Sequence, residues 1–321
     1  MRVGLTFDDV LLIPKQGILN SRKDADISSE IVVGEKIEIP IISANMPSVT
    51  GPEMAAMMWS RGAYGILHRF NTIEEQIRDY MIVNAEWNSL CGVSFGFNDI
   101  DRVGALYNAG ARIFCLDVAH GDHERILYEI SVFKSTFLGA KLIVGNIATT
   151  FAANRLAKVG VDAIKVGIGP GAACRTREVT GFGVPQLTAI MNVAGIIRQW
   201  YPHIRIIADG GIKNSGDIVK ALAAGADTVM IGSLLAGCDE APNPGEYYGN
   251  ASHYVNGHRA PEGDYGQVER RGSVENVIKE LAWGIRSGLS YGGATNLAEL
   301  RKNAEFIQVL AAGQLESKVR I

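Results

Sequence analysis

Eight short runs of β-branched and aliphatic residues recur along the chain, many of them entered through Gly-Ala or a similar helix exit. They span 39–45, 63–68, 91–96, 112–117, 141–146, 163–167, 204–209 and 228–233, mostly 20–30 residues apart with one wider gap before the seventh. Helix-like segments lie between them, such as Asp217 to Ala224, which ends at Gly225 where a left-handed C-cap suits glycine. Near-continuous apolar runs alternating with helices predict strands buried on both faces, hence a parallel sheet. Eight of them predict a closed TIM-type (β/α)8 barrel, an α/β fold, rather than an open doubly wound sheet.

The runs end in polar residues or glycine: Ser43/Asn45, His68, Asp117/His120, Asn146, Gly167/Gly169, Asp209-Gly210-Gly211 and Gly232-Ser233. A barrel gathers all its strand C-termini at one rim, where active sites form, so these residues are expected to converge. Composition supports a packed enzyme. Residues are 47% apolar and 20% charged, which excludes disorder, and no stretch is long and apolar enough for a membrane span. The N-terminus lacks a signal-peptide core, and a net charge of −3 gives no reason to expect nucleic acid. The cysteines at 91, 115, 174 and 238 have no CxxC spacing, against a zinc ribbon or disulfide framework. A cytoplasmic protein is the expectation. There are 37 glycines among 321 residues, without a collagen period, as a fold with many tight turns requires.

After the seventh run comes Asp209-Gly210-Gly211, and after the eighth Gly232-Ser233-Leu234-Leu235. Loops after strands 7 and 8 are a frequent phosphate site in barrels, because glycine lets backbone amides approach an anion. Turn glycines alone would look the same. The stretch Gly167 to Arg177 is more informative: glycines and Pro170 shape a rim loop that carries Cys174 just before Arg175 and Arg177. Neighbouring positive charge favours a thiolate, and Thr176 is a hydrogen-bonding partner, so Cys174 is the candidate nucleophile. Cys91 and Cys115 sit in apolar strands and read as structural.

With these residues the chain resembles the inosine monophosphate dehydrogenase / guanosine monophosphate reductase family. The resemblance runs nearly end to end, from Leu5-Thr6-Phe7-Asp8-Asp9 through Ile41-Ile42-Ser43-Ala44-Asn45-Met46, the cysteine loop and Asp209-Gly210-Gly211 to Gly284-Ile285-Arg286-Ser287-Gly288. It implies one barrel domain over 1–321 with a short flap around 245–270. The regulatory cystathionine-synthase-type (CBS) domain pair that dehydrogenases carry after the second strand is missing. So is a long flap with an Arg-Tyr pair that activates water. His258-Arg259-Ala260-Pro261-Glu262-Gly263 is similar to the reductases' flap, whereas Val118-Ala119-His120-Gly121 and Gly232-Ser233-Leu234-Leu235 read more like a dehydrogenase.

The resemblance to a reductase implies NADPH-dependent reductive deamination of GMP, or a related purine nucleotide monophosphate, to IMP. Cys174 would form a covalent adduct, with Thr176 and Glu262 handling protons. Asp209, Gly210, Gly211, Gly232, Ser233, Arg259, Ser43 and Met46 would bind substrate. Asp117, Arg69, His68, Asn146 and Gly167 would face the cofactor, with NADH or NAD as alternatives to NADPH. Carbonyls of Gly167, Gly169 and Cys174 would hold a monovalent cation such as K+, and the assembly would be a homotetramer. A compact dehydrogenase converting IMP to XMP with NAD, and a non-catalytic purine-nucleotide-binding barrel, are the alternatives. Four positions depart from the family: Ala172 for a phosphate-touching serine, Arg175 for a threonine, Asn250 for a methionine against the base, and Pro47 for an aspartate. Arg175 is expected to offset the lost serine contact with a charge-assisted one.

Overall fold

The computed structural model describes residues 2–256 and 261–317. All eight runs are strands: β1 Ile41–Ser43, β2 Tyr64–Leu67, β3 Gly92–Phe95, β4 Ile113–Asp117, β5 Lys141–Ile147, β6 Ala163–Val166, β7 Arg205–Asp209 and β8 Thr228–Ile231. Each pairs in parallel with its sequence neighbour, and β8 pairs with β1 to close the barrel. The helices that wrap it are α1 Pro52–Ser60, α2 Ile73–Met81, α3 Ile100–Asn108, α4 Glu124–Thr136, α5 Thr150–Lys158, α6 Gln186–Trp200, α7 Ser215–Ala223 and α8 Val274–Tyr291.

Local chemistry sets where these helices start and stop. Thr72 and Glu75 exchange a capping box at the start of α2. The Asn214 side chain accepts the Asp217 N–H at the start of α7. Past the end of α7, Gly225 has φ +117, and a Cβ there would lie 2.4 Å from Ala194 Cβ. It therefore serves both as a turn and as the contact point between α7 and α6. Only Asn71 and a few neighbours separate β2 from α2, so no domain is inserted there.

Among the described residues, three antiparallel strand pairs lie outside the barrel. Ser29–Val32 and Glu35–Ile37 form a hairpin at the N-terminal mouth, where Glu30 pairs with Arg205 at the start of β7. Val10–Leu12 pairs with Phe306–Gln308, joining the two ends of the chain. Glu246–Tyr248 pairs with Tyr265–Gln267 to form the base of a flap over the opposite rim. No helix among the described residues is long and apolar enough to cross a membrane.

Candidate active site

The strand C-termini and the flap enclose a cleft of about 980 Å³, at the upper end of the range for small-molecule sites. The cysteine loop crosses it because β6 ends in glycine. A Cβ on Gly167 would lie 2.1 Å from the Asp209 carbonyl oxygen, so only glycine lets the loop pass over the end of β7. Further along, the Cys174 thiol donates to the Thr176 hydroxyl at 3.2 Å.

The flap is clamped to this loop. Arg175 N–H donates to the Glu262 carbonyl at 2.6 Å and Asp264 N–H to the Ala173 carbonyl at 2.9 Å. Gly249 and Gly263 permit the close approach: a Cβ on either would meet the other's Cα at 3.1 Å. Asn250 ties the flap to the barrel, its amide donating to Asp117 Oδ2 at 3.2 Å and to the Asn45 carbonyl at 3.3 Å. Cys174, Thr176 and Glu262 thereby line one cleft. The other three thiols are buried. Burial raises their pKa values, to about 12 for Cys115 and Cys238, so they are protonated and inert at neutral pH.

Sequence reasoning missed the residue at the centre of the cleft floor. Lys165 on β6 is buried, and its ammonium reaches Asp209 Oδ2 at 2.7 Å and Asp117 Oδ1 at 2.9 Å. It also donates to Asn146 Oδ1. Asn146 in turn donates to Asp209 Oδ2 at 2.9 Å and to the Gly167 carbonyl at 2.7 Å. The register explains the reach: Asp117, Gly145 and Lys165 lie side by side on β4, β5 and β6. Gly145 has no side chain to come between them. Burial alone would lower the Lys165 pKa, but Asp117 and Asp209 outweigh it and raise it. Burial likewise pushes Asp117 up, and Lys165 overrides this to hold its carboxylate below the usual range. The signal was a lone cation in an apolar strand, Ala163-Ile164-Lys165-Val166.

Most expected site residues line the cleft: Met46, Arg69, Asp117, Asn146, Gly167, Gly169, Asp209, Gly210, Gly211, Gly232 and Ser233. Gly210 and Gly211 turn at φ +89 and +79. The Tyr247 hydroxyl, which sequence reasoning also missed, sits where a Cβ on Gly232 would meet it at 2.7 Å. Two expected residues do not line the cleft. Ser43 is fully buried beneath it, its hydroxyl accepting from Thr50 at 2.9 Å. His68 lies behind the rim, its Nδ1 accepting the Phe70 N–H at 3.2 Å. Arg259 lies outside the described residues. The expectation for Arg175 is corrected: it pairs with Glu178 at the surface and does not line the cleft, so it does not replace the missing serine. Its charge is drawn to the carboxylate one helical turn away. Of the three carbonyls expected to hold a cation, Gly167's already accepts Asn146. Among the described residues no group of three or more His, Cys, Asp or Glu side chains is arranged to hold a metal.

Fold and site together define a β/α barrel with a cysteine-centred rim cleft. A family model described as "IMP dehydrogenase / GMP reductase domain" matches residues 4–320, and the chain belongs to this family. It is 34% identical to an inosine-5'-monophosphate dehydrogenase of Cryptosporidium parvum, over 98% of this chain and 94% of that protein. It is 43% identical to the Aquifex aeolicus enzyme of the same name over 71% of this chain, spanning about half (51%) of that relative. Among solved structures, a cysteine-to-alanine variant of GMP reductase from Trypanosoma brucei, in complex with guanosine 5'-monophosphate, superposes with a TM-score of 0.91 at 26% identity. The match covers 99% of this chain and 98% of that one. The protein is thus a family oxidoreductase with a TIM barrel.

Proposed function

We propose that the protein is a GMP reductase-like enzyme that reductively deaminates a purine nucleoside monophosphate, GMP first among candidates, to IMP. The observation that carries this is the Cys174 thiol bonded to Thr176, with Glu262 lining the same cleft on a compact flap. Sixteen residues, 249–264, separate the hairpin strands of that flap, and their sequence contains no adjacent Arg and Tyr. Hydrolysis of a thioimidate adduct needs a base to activate water, whereas displacement of an amine needs a proton donor, the role Glu262 suits. The likeness to a GMP-bound reductase structure supports the same direction. The relatives named as dehydrogenases favour a second reading, oxidation of IMP with NAD.

In the proposed reaction the Cys174 thiolate attacks C2 of the guanine ring, forming an S–C bond. Thr176 relays the thiol proton, passing its own hydroxyl proton on to Glu262, which delivers it to the departing amino group, and this leaves as ammonia. When bound, NADPH supplies the hydride that C2 accepts, after which the S–C bond breaks and the thiolate returns. Asp209 suits the ribose hydroxyls, while Gly211, Gly232, Ser233 and Tyr247 form the phosphate end. The cofactor residues fit an extended ligand on the Asp117–Arg69 side. Arg69 Nε is buried without a hydrogen-bond partner among the described residues. A Cβ on Gly96 would fill that space, 2.8 Å from Arg69 Nη1. Phe70 and Phe97 line the cleft beyond it.

The test is a screen of purine monophosphates against NADPH, NADH, NADP+ and NAD+, followed at the reduced cofactor's absorbance band. Loss of absorbance with GMP and NADPH is expected, abolished by Cys174→Ala. A gain with IMP and NAD+ in its place would establish the dehydrogenase reading.

A further inference from the structure

Among the described residues, Lys165 is the cation in contact with both Asp117, which is buried, and Asp209, which is half-buried, and the proposed chemistry assigns it no step. It bridges Asp209, on the nucleotide side, and Asp117, on the side assigned to the cofactor. The groups facing this cluster are Asn146 from β5, the inert Cys115 thiol on β4, Arg69 beyond β2, Asn45 beyond β1 and Asn250 of the flap, whose amide donates to Asp117. The two oxidation states of a nicotinamide dinucleotide differ in this cleft chiefly by one charge on the ring, positive when oxidised and neutral when reduced. A carboxylate left alone beside the ring would favour the oxidised form.

We propose that Lys165 sets the oxidation-state preference of the nicotinamide site, cancelling the Asp117 charge so that the site accepts the neutral reduced ring. It is a specificity-determining and positioning residue. The inference rests on the reading above that the cofactor occupies the Asp117–Arg69 side, and it explains how the barrel favours reduction. A unit charge about 6–10 Å away, at an effective dielectric near 20, changes the relative affinity for the two forms by about ten- to a hundredfold.

Binding decides it without turnover. In a Cys174→Ala background, calorimetric titration with NADPH and with NADP+ gives the ratio of their dissociation constants, and thermal melting checks that each variant is folded. Lys165→Met is expected to shift the ratio at least tenfold toward NADP+. Lys165→Arg, which keeps the charge, is expected to stay within about threefold of the parent ratio. Asp117→Asn is expected to shift it the opposite way, toward NADPH, and it decides the matter if Lys165→Met does not fold. A purely structural role would weaken both forms by one factor in Lys165→Met and Lys165→Arg alike, and that result, or an unchanged ratio in Asp117→Asn, overturns the inference. If the parent binds neither form, the cofactor reading itself has failed and the inference falls with it. If it binds both and the variants do not move the ratio, only the inference fails.

Discussion

Replacing Gly167 by alanine tests whether the cysteine loop is held by steric fit to the end of β7. The added Cβ would lie 2.1 Å from the Asp209 carbonyl oxygen, a backbone atom that cannot rotate away. Restoring an ordinary contact of 3.4 Å or more means moving the loop or the end of β7 by roughly 1 Å. Both belong to the proposed site, since Gly167 leads to Cys174 and Asp209 is fixed by Lys165 and Asn146. Overpacking of this kind costs about 1–3 kcal/mol. At an unfolding entropy of about 2.1 cal/mol/K per residue, each kcal/mol lowers Tm by about 1.5 °C in a chain of this length, so a fall of about 2–5 °C is expected. A displacement of about 1 Å between reacting groups costs on the order of a hundredfold in rate. Gly139→Ala is the control: it also has positive φ, +79, but open space around its Cβ position. It should lose about 1 kcal/mol from backbone strain and keep its turnover. Thermal unfolding and steady-state turnover of both variants, side by side, give the answer. If Gly167→Ala turns over at the parent rate while its Tm falls no further than that of Gly139→Ala, the steric account of the loop is wrong.

Asp227 anchors the opposite end of the barrel, accepting from Arg198 at 2.6 Å, Ile206 N–H at 2.8 Å and Arg301 at 3.2 Å. Asp227→Ala should destabilise by about 3 kcal/mol, measured as a lower denaturant midpoint, with KM unchanged because the cleft lies at the other rim. His68 gives a pH signature. Burial, helped by the Arg102 charge, lowers its pKa from 6.5 to about 4. The unfolded chain therefore binds the proton first, and stability present above pH 6.5 is lost as pH falls toward about 4, by up to about 3 kcal/mol. Urea titrations between about pH 7 and pH 4.5 should show that decline, and His68→Asn should flatten it.

The sequence legibly encoded the barrel, because strand and helix formation respond to local pattern. Each apolar run between turn residues became a strand within one or two positions, and Gly225 ended α7 for the backbone reason that glycine at that position predicts. The pairing of Cys174, the proposed nucleophile, with Thr176 was legible for the same kind of reason: they are two residues apart, and their bond is made within one turn of chain. What the sequence left hidden is everything that depends on which way a side chain points across the barrel. Lys165 looks like an interruption in an apolar strand, and its partners lie 48 residues before it and 44 after it. Only the parallel pairing of β4 through β7, with side-chain-free Gly145 on β5 between Asp117 and Lys165, brings those charges together. Ser43 and His68 stand at strand ends as the pattern requires, yet packing turns one under the floor and the other behind the rim. Arg175 sits beside Cys174 in sequence and pairs outward with Glu178. Local spacing fixes which residues reach the rim, while burial and charge pairing in three dimensions decide which of them face the cleft.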